Sequence, residues 1–385
     1  MKKKIVISSD KFKSSLSSVE VADIIGSAIL SVLPDTEIVK IPVADGGEGS
    51  MEILTSYLNG RSRTVEVMNP LMSPIQSQYG IVNGGQTAII ELATASGLAL
   101  LSSQEYNPWV TTTYGTGQLI LDALQNDCKE FIIGIGGSAT NDAGTGLLQA
   151  LGYRFLDVER QELNKGGQIL EQISSIDYSL REPLLDNVSF RIACDVSNPF
   201  YGKEGAAYVF APQKGASKTM VERLDNGLRH FASVIYEQWE IDVQQIQGSG
   251  AAGGVGGTMR AFLDADLESG IDLILDLLEF DKKIAGADLI ITGEGKIDNQ
   301  TAGGKAINGI TKRAAKQHIP VIAFAGKVEN NIRPEGIGLR KAYSINQEHL
   351  PLEKAINPAV AKQNLYDKVR EVFIQESDFN NRKGK

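Results

Sequence analysis

Apolar and polar positions along this chain follow two rhythms. In the first, short β-branched runs end in glycine, acid or hydroxyl residues. Ile5–Ile7 precedes Ser8-Ser9-Asp10, and Ile38–Val43 precedes Asp45-Gly46-Gly47-Glu48-Gly49. Phe131–Ile135 precedes Gly136-Gly137-Ser138, Leu289–Ile291 precedes Thr292-Gly293-Glu294-Gly295, and Val321–Phe324 precedes Gly326-Lys327. Continuous apolar runs of this kind read as buried parallel strands. Helical patterns lie between them. Ser17-x-x-Glu20 forms a capping box, apolar Val21, Ile24, Ile25, Ala28, Ile29 and Val32 follow at helical spacing, and Pro34 stands just past the end. Alternation of strand and helix predicts an open, right-handed βαβ sheet.

The second rhythm appears in two regions. Residues Arg61 to Leu92 read as short extended pieces with turn signals at Asn69-Pro70, Ser73-Pro74 and Asn83-Gly84-Gly85, which suits an antiparallel meander or hairpin. From Tyr153 to Gly257 the pattern mixes expected strands, Ser189–Ala193 and Ala207–Phe210, with long loops and an amphipathic helix near Thr219–Trp239. A chain of 385 residues exceeds the length over which one core keeps growing. The expected fold is therefore α/β in two domains. Residues 1–60, 118–150 and 260–385 form an open parallel sheet, and residues 61–117 and 151–259 form an inserted α/β domain of mixed sheet. Ligands of open α/β sheets bind beyond the carboxyl ends of the strands, and pockets favour domain interfaces. The expected site is thus an interdomain cleft.

Composition narrows the partners. Hydrophobic residues make up 42% of the chain, ample for packed cores, while the net charge of −9 and pI near 5.1 disfavour a nucleic-acid surface. Cys128 and Cys194 lie far apart without metal-type spacing, so neither a disulfide framework nor a zinc cage is expected. The lysines of MKKKIVISSD precede too short an apolar run for a signal segment, and no stretch approaches the roughly 20 apolar residues of a membrane span. A soluble cytoplasmic protein is the expectation, either a monomer or a homodimer.

Several loops carry candidate chemistry. In Phe131 to Gly146 an apolar run breaks into a glycine-rich loop with Gly137, Ser138, Thr140, Asn141 and Asp142 and then opens a helix. There, N–H groups and a helix N-terminus can face an anion, or the loop is only a tight turn. Asp10-Lys11-Phe12-Lys13-Ser14-Ser15 sets two lysines at the mouth of the first strand, as an anion site or a solvated loop. Asp45-Gly46-Gly47-Glu48 offers two carboxylates three residues apart, suited to magnesium or to helix capping. Asp195, after the strand Ser189–Ala193, is placed to accept a hydroxyl proton or to form an Asx-turn. The run Gly248 to Gly257 permits close backbone approach or hinging. Gly293, Glu294, Gly295 and Lys296, followed by Asp298, Thr301, Gly303, Gly304 and Lys305, read as a phosphate-contacting loop with Asp298 near a metal, or as a structural turn.

His230, His318 and His349 fall outside these loops, which disfavours a histidine base, and no G-x-x-x-x-G-K-[ST] motif is present. Gly134-x-Gly136-x-x-Ala139, with Asp157 about 20 residues on, mimics a dinucleotide fingerprint. A nicotinamide-dependent oxidoreductase of a small hydroxy acid therefore stays open, as does a non-catalytic sugar-acid sensor.

The set of loops resembles the glycerate kinase family, the bacterial type that phosphorylates D-glycerate with ATP. The resemblance rests on Asp10 to Leu16, Val43 to Gly49, Gly115-Thr116-Gly117, Gly136 to Gly146, Cys194 to Gly205, Phe210 to Gly215, Ser249 to Gly257 and Thr292 to Lys305. It implies a Rossmann-like domain with an inserted domain, Mg-ATP as phosphoryl donor, and a place in cytoplasmic carbon metabolism. The family's first motif has proline before the aspartate, serine after it and glycine after the second lysine, where this chain has Ser9, Lys11 and Ser14. Lys296 stands at a usual arginine and Ile307 at a frequent proline. By this resemblance Asp10, Lys13, Gly46, Gly47, Gly137, Ser138 and Asn141 contact D-glycerate, and Asp195 takes the hydroxyl proton. Gly293, Glu294, Gly295 and Lys296 contact ATP, Asp45 and Asp298 face Mg2+, and phosphorylation falls on the 2-hydroxyl rather than the 3-hydroxyl.

Overall fold

Apolar runs become strands where both faces are covered, and the computed structural model describes residues 2–43, 49–298, 305–347 and 349–383. Among these the first strands are β1 (Lys4–Ile7), β2 (Glu37–Lys40), β3 (Arg61–Met68), β4 (Pro74–Val82), β5 (Thr87–Glu91) and β6 (Glu130–Gly134). The remainder are β7 (Arg154–Leu156), β8 (Ser175–Asp177), β9 (Ser189–Ala193), β10 (Asp266–Glu268), β11 (Leu289–Ile297), β12 (Val321–Val328) and β13 (Lys341–Ser344). One sheet runs β13-β12-β11-β1-β2, a second runs β10-β9-β6-β5-β4-β3, and β7 pairs with β8 apart from both. The chain divides into two compact units, Met1–Asp45 with Ile271–Lys385, and Gly46–Gly270. The second is inserted in the sequence of the first.

The sheet of the first unit is parallel throughout. Ile5, Ile7, Leu289, Ile291, Ile322 and Phe324 pack with Val21, Ile25 and Ile29 of the helix Ser18–Val32 and with Leu365, Val369 and Phe373 of the helix Pro358–Lys383. Each such buried side chain stabilises the layer by roughly 1.5–3 kcal/mol. The capping box forms as the sequence predicts: Ser17 Oγ accepts the Glu20 N–H at 3.2 Å and Glu20 Oε2 accepts the Ser17 N–H at 2.9 Å. One expectation is corrected. The Thr292–Lys296 stretch is strand, not loop, because β11 continues to Ile297 in register with β12, Gly293 opposite Phe324 and Lys296 opposite Lys327. Glycine allows the approach, since a Cβ at Gly293 would lie 2.3 Å from the Phe324 carbonyl oxygen.

In the second unit the Arg61–Leu92 region forms the expected meander, β3-β4-β5 antiparallel. Asn69 Oδ1 accepts the N–H groups of Leu71 and Ser73, both at 2.9 Å, and so shapes the first turn. The parallel half, β5-β6-β9-β10, follows. Residues 118–150 were expected in the first domain. Strand β6 instead lies between β5 and β9, with Ile133 opposite both Ile90 and Ile192, so this segment belongs to the second unit. Local periodicity reveals a strand without naming its neighbours. The glycines of Gly115-Thr116-Gly117 are explained by packing: a Cβ at Gly117 would lie 2.4 Å from the Leu147 carbonyl oxygen, and one at Gly115 would lie 1.9 Å from that of Met68.

Two further expectations change. Ala207–Phe210 falls in the helix Ala206–Phe210, whose Ala206 and Ala207 are buried while Tyr208 and Val209 are exposed. A run of four apolar residues is too short for its period to be read. The Gly248–Gly257 run is no hinge, for it is packed within the second unit. A Cβ at Gly253 would lie 2.3 Å from the Thr140 carbonyl oxygen, and one at Gly254 would lie 2.9 Å from Ala143 Cα. No helix among the described residues is long and apolar enough to cross a membrane.

Candidate active site

Taken in their own order, the five strands of the first unit lie 2-1-3-4-5. Connections leave in opposite directions from β1 and β11, and the crevice at such a switch point is where open α/β sheets bind ligands. Asp10 and Gly293 meet there: the Asp10 N–H donates to the Gly293 carbonyl at 3.0 Å, and Ser9 Oγ donates to the same oxygen at 3.0 Å. The chain then turns through Ser14, whose φ of 64° is left-handed. That backbone explains why the family motif has glycine at this position.

Beside the switch point lies a cavity of about 1090 Å³, lined by Phe12, Lys13, Gly295, Lys296, Lys327 and Asn346 among others. Three lysines give it a cationic wall. Lys296 Nζ also lies 2.9 Å from Asp298 Oδ2 and 2.7 Å from Glu329 Oε1. These acids raise the Lys296 pKa, the Glu329 hydrogen bond foremost, so it stays charged. Asp298 and Glu329 thus converge on a single cation position. Asp45, Gly46 and Gly47, together with Thr301, Gly303 and Gly304, lie outside the described residues. Immediately after the first of these segments, Glu91 is buried and accepts the N–H groups of Gly49 at 3.2 Å and Met51 at 2.7 Å, fixing the start of the helix Ser50–Tyr57.

In the second unit, β6 and β9 are parallel neighbours with Gly134 opposite Ala193. The Gly137–Asn141 loop and Asp195 therefore leave from the same end of adjacent strands. The loop is held from three sides. Leu98 N–H donates to the Gly137 carbonyl and Ala139 N–H to that of Ser96, both at 2.9 Å. Asp142, fully buried, accepts five hydrogen bonds, from Thr112 Oγ1, the Thr113 N–H and hydroxyl, and the N–H groups of Gly144 and Gly146. Burial pushes its pKa up while the Thr113, Gly144 and Gly146 bonds pull it down. The third tie is Lys214, 2% exposed, whose Nζ donates to Ser138 Oγ at 2.8 Å and to the Thr140 carbonyl at 2.6 Å. Burial lowers the Lys214 pKa to about 7, with Asp142 opposing.

This arrangement corrects part of the sequence reading. The N-terminus of the helix Thr145–Ala150 does not wait for a ligand anion, because the Asp142 carboxylate already takes its N–H groups. The open groups are in the loop itself. Both side-chain polar atoms of the buried Asn141 lack a hydrogen-bond partner among the described residues. The dinucleotide fingerprint also fails. After that helix the chain enters the separate β7-β8 ribbon rather than a parallel strand of the same sheet, and Asp157 caps a turn by accepting the Glu159 and Gln161 N–H groups. Asp195 is exposed, and its Oδ1 accepts the Gly270 N–H at 2.9 Å.

Lys214, Glu91 and Glu329 were not singled out from sequence. Lys214 lies within Phe210 to Gly215, one of the segments that carry the family resemblance, yet a lone lysine holds no signal of burial. Only the packing of the turn Pro212–Lys214 against the 138–140 loop discloses it.

Comparison with known proteins completes the assignment. The model of the glycerate kinase family matches residues 5–375. A glycerate kinase of Bacillus cereus is 44% identical over 363 residues, covering 94% of this chain and 95% of the relative. A glycerate 2-kinase of Escherichia coli is 45% identical over 329 residues, 86% of each chain. The crystal structure of a candidate glycerate kinase 2 from Salmonella typhimurium LT2 superposes with a TM-score of 0.90 at 40% identity, covering 99% of this chain and 100% of that one. With an α/β fold of one parallel and one mixed sheet and a family match over nearly its whole length, the chain belongs to the glycerate kinase family of phosphotransferases.

Proposed function

We propose that this protein transfers the γ-phosphoryl group of ATP to the 2-hydroxyl of D-glycerate, giving 2-phosphoglycerate and ADP. The observation that carries the reading is the lysine-lined cavity at the β1/β11 switch point, in a chain of this family. The printed name of the Escherichia coli relative, glycerate 2-kinase, supports the choice of hydroxyl.

In this scheme Gly295 lines the nucleotide's path with bare backbone, Gly293 and Glu294 precede it on the same strand as further ATP contacts, and Lys13, Lys296 and Lys327 neutralise the phosphates. Phosphoryl transfer needs little covalent help from the protein, so positioning and charge supply most of the rate. Mg2+, when bound, neutralises charge on the phosphate oxygens. Asp298 and Asp45 are assigned to that ion, Asp298 by its place 2.9 Å from Lys296 and so beside the proposed phosphate path. Gly137 admits D-glycerate closely, Ser138 and Asn141 hydrogen-bond it, and Asp10, Gly46 and Gly47 complete the substrate contacts. Asp195 accepts the proton of the attacking hydroxyl.

A coupled assay of ADP release with and without D-glycerate tests the activity, and phosphorus NMR of the product tests the position. Equal ADP release in both arms overturns the reading. A product phosphorylated at the 3-hydroxyl overturns only the regiochemistry.

A further inference from the structure

Lys214 is a buried cation packed against a loop that the family resemblance credits only with Gly137, Ser138 and Asn141. Its Nζ is an ammonium group in the charged form, with three donors and no acceptor. Ser138 Oγ, 2.8 Å away, must therefore accept from it. A hydroxyl that accepts from a cation has its own proton directed elsewhere, and the cation strengthens that donation. Two residues before Ser138, Gly136 faces open space: among the described residues none but its chain neighbours comes within 4 Å of the position its Cβ would take. Asn141, three residues on, is buried with its amide unpartnered among the described residues, a state that native interiors rarely leave unused. The loop thus offers a hydroxyl donor and an amide with nothing among the described residues to receive them.

We infer that Lys214 is a positioning residue that turns Ser138 into a charge-assisted donor for the substrate's carboxylate, making this loop the element that selects an acid over a neutral polyol. Lys214 does not touch the substrate. It acts through the Ser138 hydroxyl and through the Thr140 carbonyl that it holds at 2.6 Å. Neutral Lys214 would have a lone pair able to accept the Ser138 proton, turning the donor inward. Burial places that change near pH 7, with Asp142 of the same loop as the opposing charge.

The inference rests on the glycerate kinase reading, and the test separates the two. Kinetics of the full-length protein are measured with D-glycerate and with its uncharged amide, D-glyceramide, alongside calorimetric binding of ATP. For Lys214→Met the preference for glycerate over glyceramide falls about 10- to 150-fold, the range that a hydrogen bond to a charged group carries, mostly through KM. ATP binding stays unchanged. A merely structural loss would weaken both substrates alike. Should Lys214→Met fail to fold, Ser138→Ala, which keeps the buried lysine, carries the same expectation. In the wild type the same preference falls as pH rises through about 7. Wild-type turnover of glycerate with an undiminished preference in the folded variants overturns the inference. A wild type that shows no glycerate-dependent ADP release overturns the function instead.

Discussion

Replacing Asp142 by asparagine probes the knot that holds the substrate loop. The carboxylate is fully buried, and its Oδ2 accepts four of the five hydrogen bonds, at 3.3, 2.8, 2.9 and 3.3 Å, while Oδ1 takes the Gly144 N–H at 3.2 Å. Asparagine is isosteric but carries one acceptor. With its oxygen at the Oδ2 position, its NH2 faces the Gly144 N–H, donor against donor, at a cost of about 1–3 kcal/mol. The four remaining bonds lose charge assistance, roughly halving each. The helix Thr145–Ala150 loses its N-terminal anion, worth up to about 2 kcal/mol, and Lys214 loses its neighbouring charge. Relief from burying a carboxylate works the other way. Burial is the larger influence on the Asp142 pKa, so the net loss is set by the unpaired Gly144 N–H and by a Lys214 ammonium left without its neighbouring charge, about 3 kcal/mol. Trp109 and Trp239 both belong to the second unit, so fluorescence during urea unfolding reports on that unit. At about 2–3 kcal/mol per molar, the midpoint should fall by about 1–2 M with unchanged slope. A shift under about 0.3 M would refute the assignment of Asp142 as the loop's anchor.

Other outcomes follow from the same geometry. Asp195→Asn should lower kcat by about 10²- to 10⁴-fold with little change in the KM for ATP; full turnover in a folded protein would remove Asp195 as the base. Gly293→Val places a Cβ 2.3 Å from the Phe324 carbonyl oxygen and must part β11 from β12. It should raise the KM for ATP and lower stability by several kcal/mol, and a wild-type nucleotide affinity would show that β11 does not line the ATP site. Lys214 also makes stability pH-dependent. Its folded pKa, about 7, lies below the ordinary lysine value of 10.5, so between those values the unfolded chain holds a proton that the native lysine has released, and stability rises with pH. The wild type should gain on Lys214→Met in urea unfolding from pH 6.5 to 9. A constant difference across that range would mean that the buried amine does not titrate there.

Much of the candidate site was legible because its residues follow apolar runs with glycine, acid or hydroxyl punctuation. Asp10, Lys13, Ser138, Asn141 and Asp195 all stand at the carboxyl ends of strands that the pattern reveals. The capping box at Ser17 and Glu20 and the turn at Asn69 are local, with partners within four residues, and local chemistry decides them. What stayed hidden depends on partners distant in sequence. The Gly293–Lys296 stretch looked like a loop because glycine disfavours strands, but the carbonyl of Phe324 comes close enough that nothing larger fits. Lys214 meets Ser138 across 76 positions of chain and Glu91 meets Met51 across 40, and neither pairing leaves a periodic trace.

The sequence by itself determined that this is an α/β protein, that one domain is inserted in the other, and which loops hold the polar groups. Hydrophobic period and turn chemistry are written in neighbouring residues, so no tertiary knowledge is needed to read them. Only the tertiary structure decided that β6 and its loop belong to the inserted unit, that Asp142 fills the helix N-terminus, and that a buried lysine sits behind Ser138. Strand order and burial are set by which distant surfaces exclude water together, and that is a property of the packed chain rather than of any segment within it.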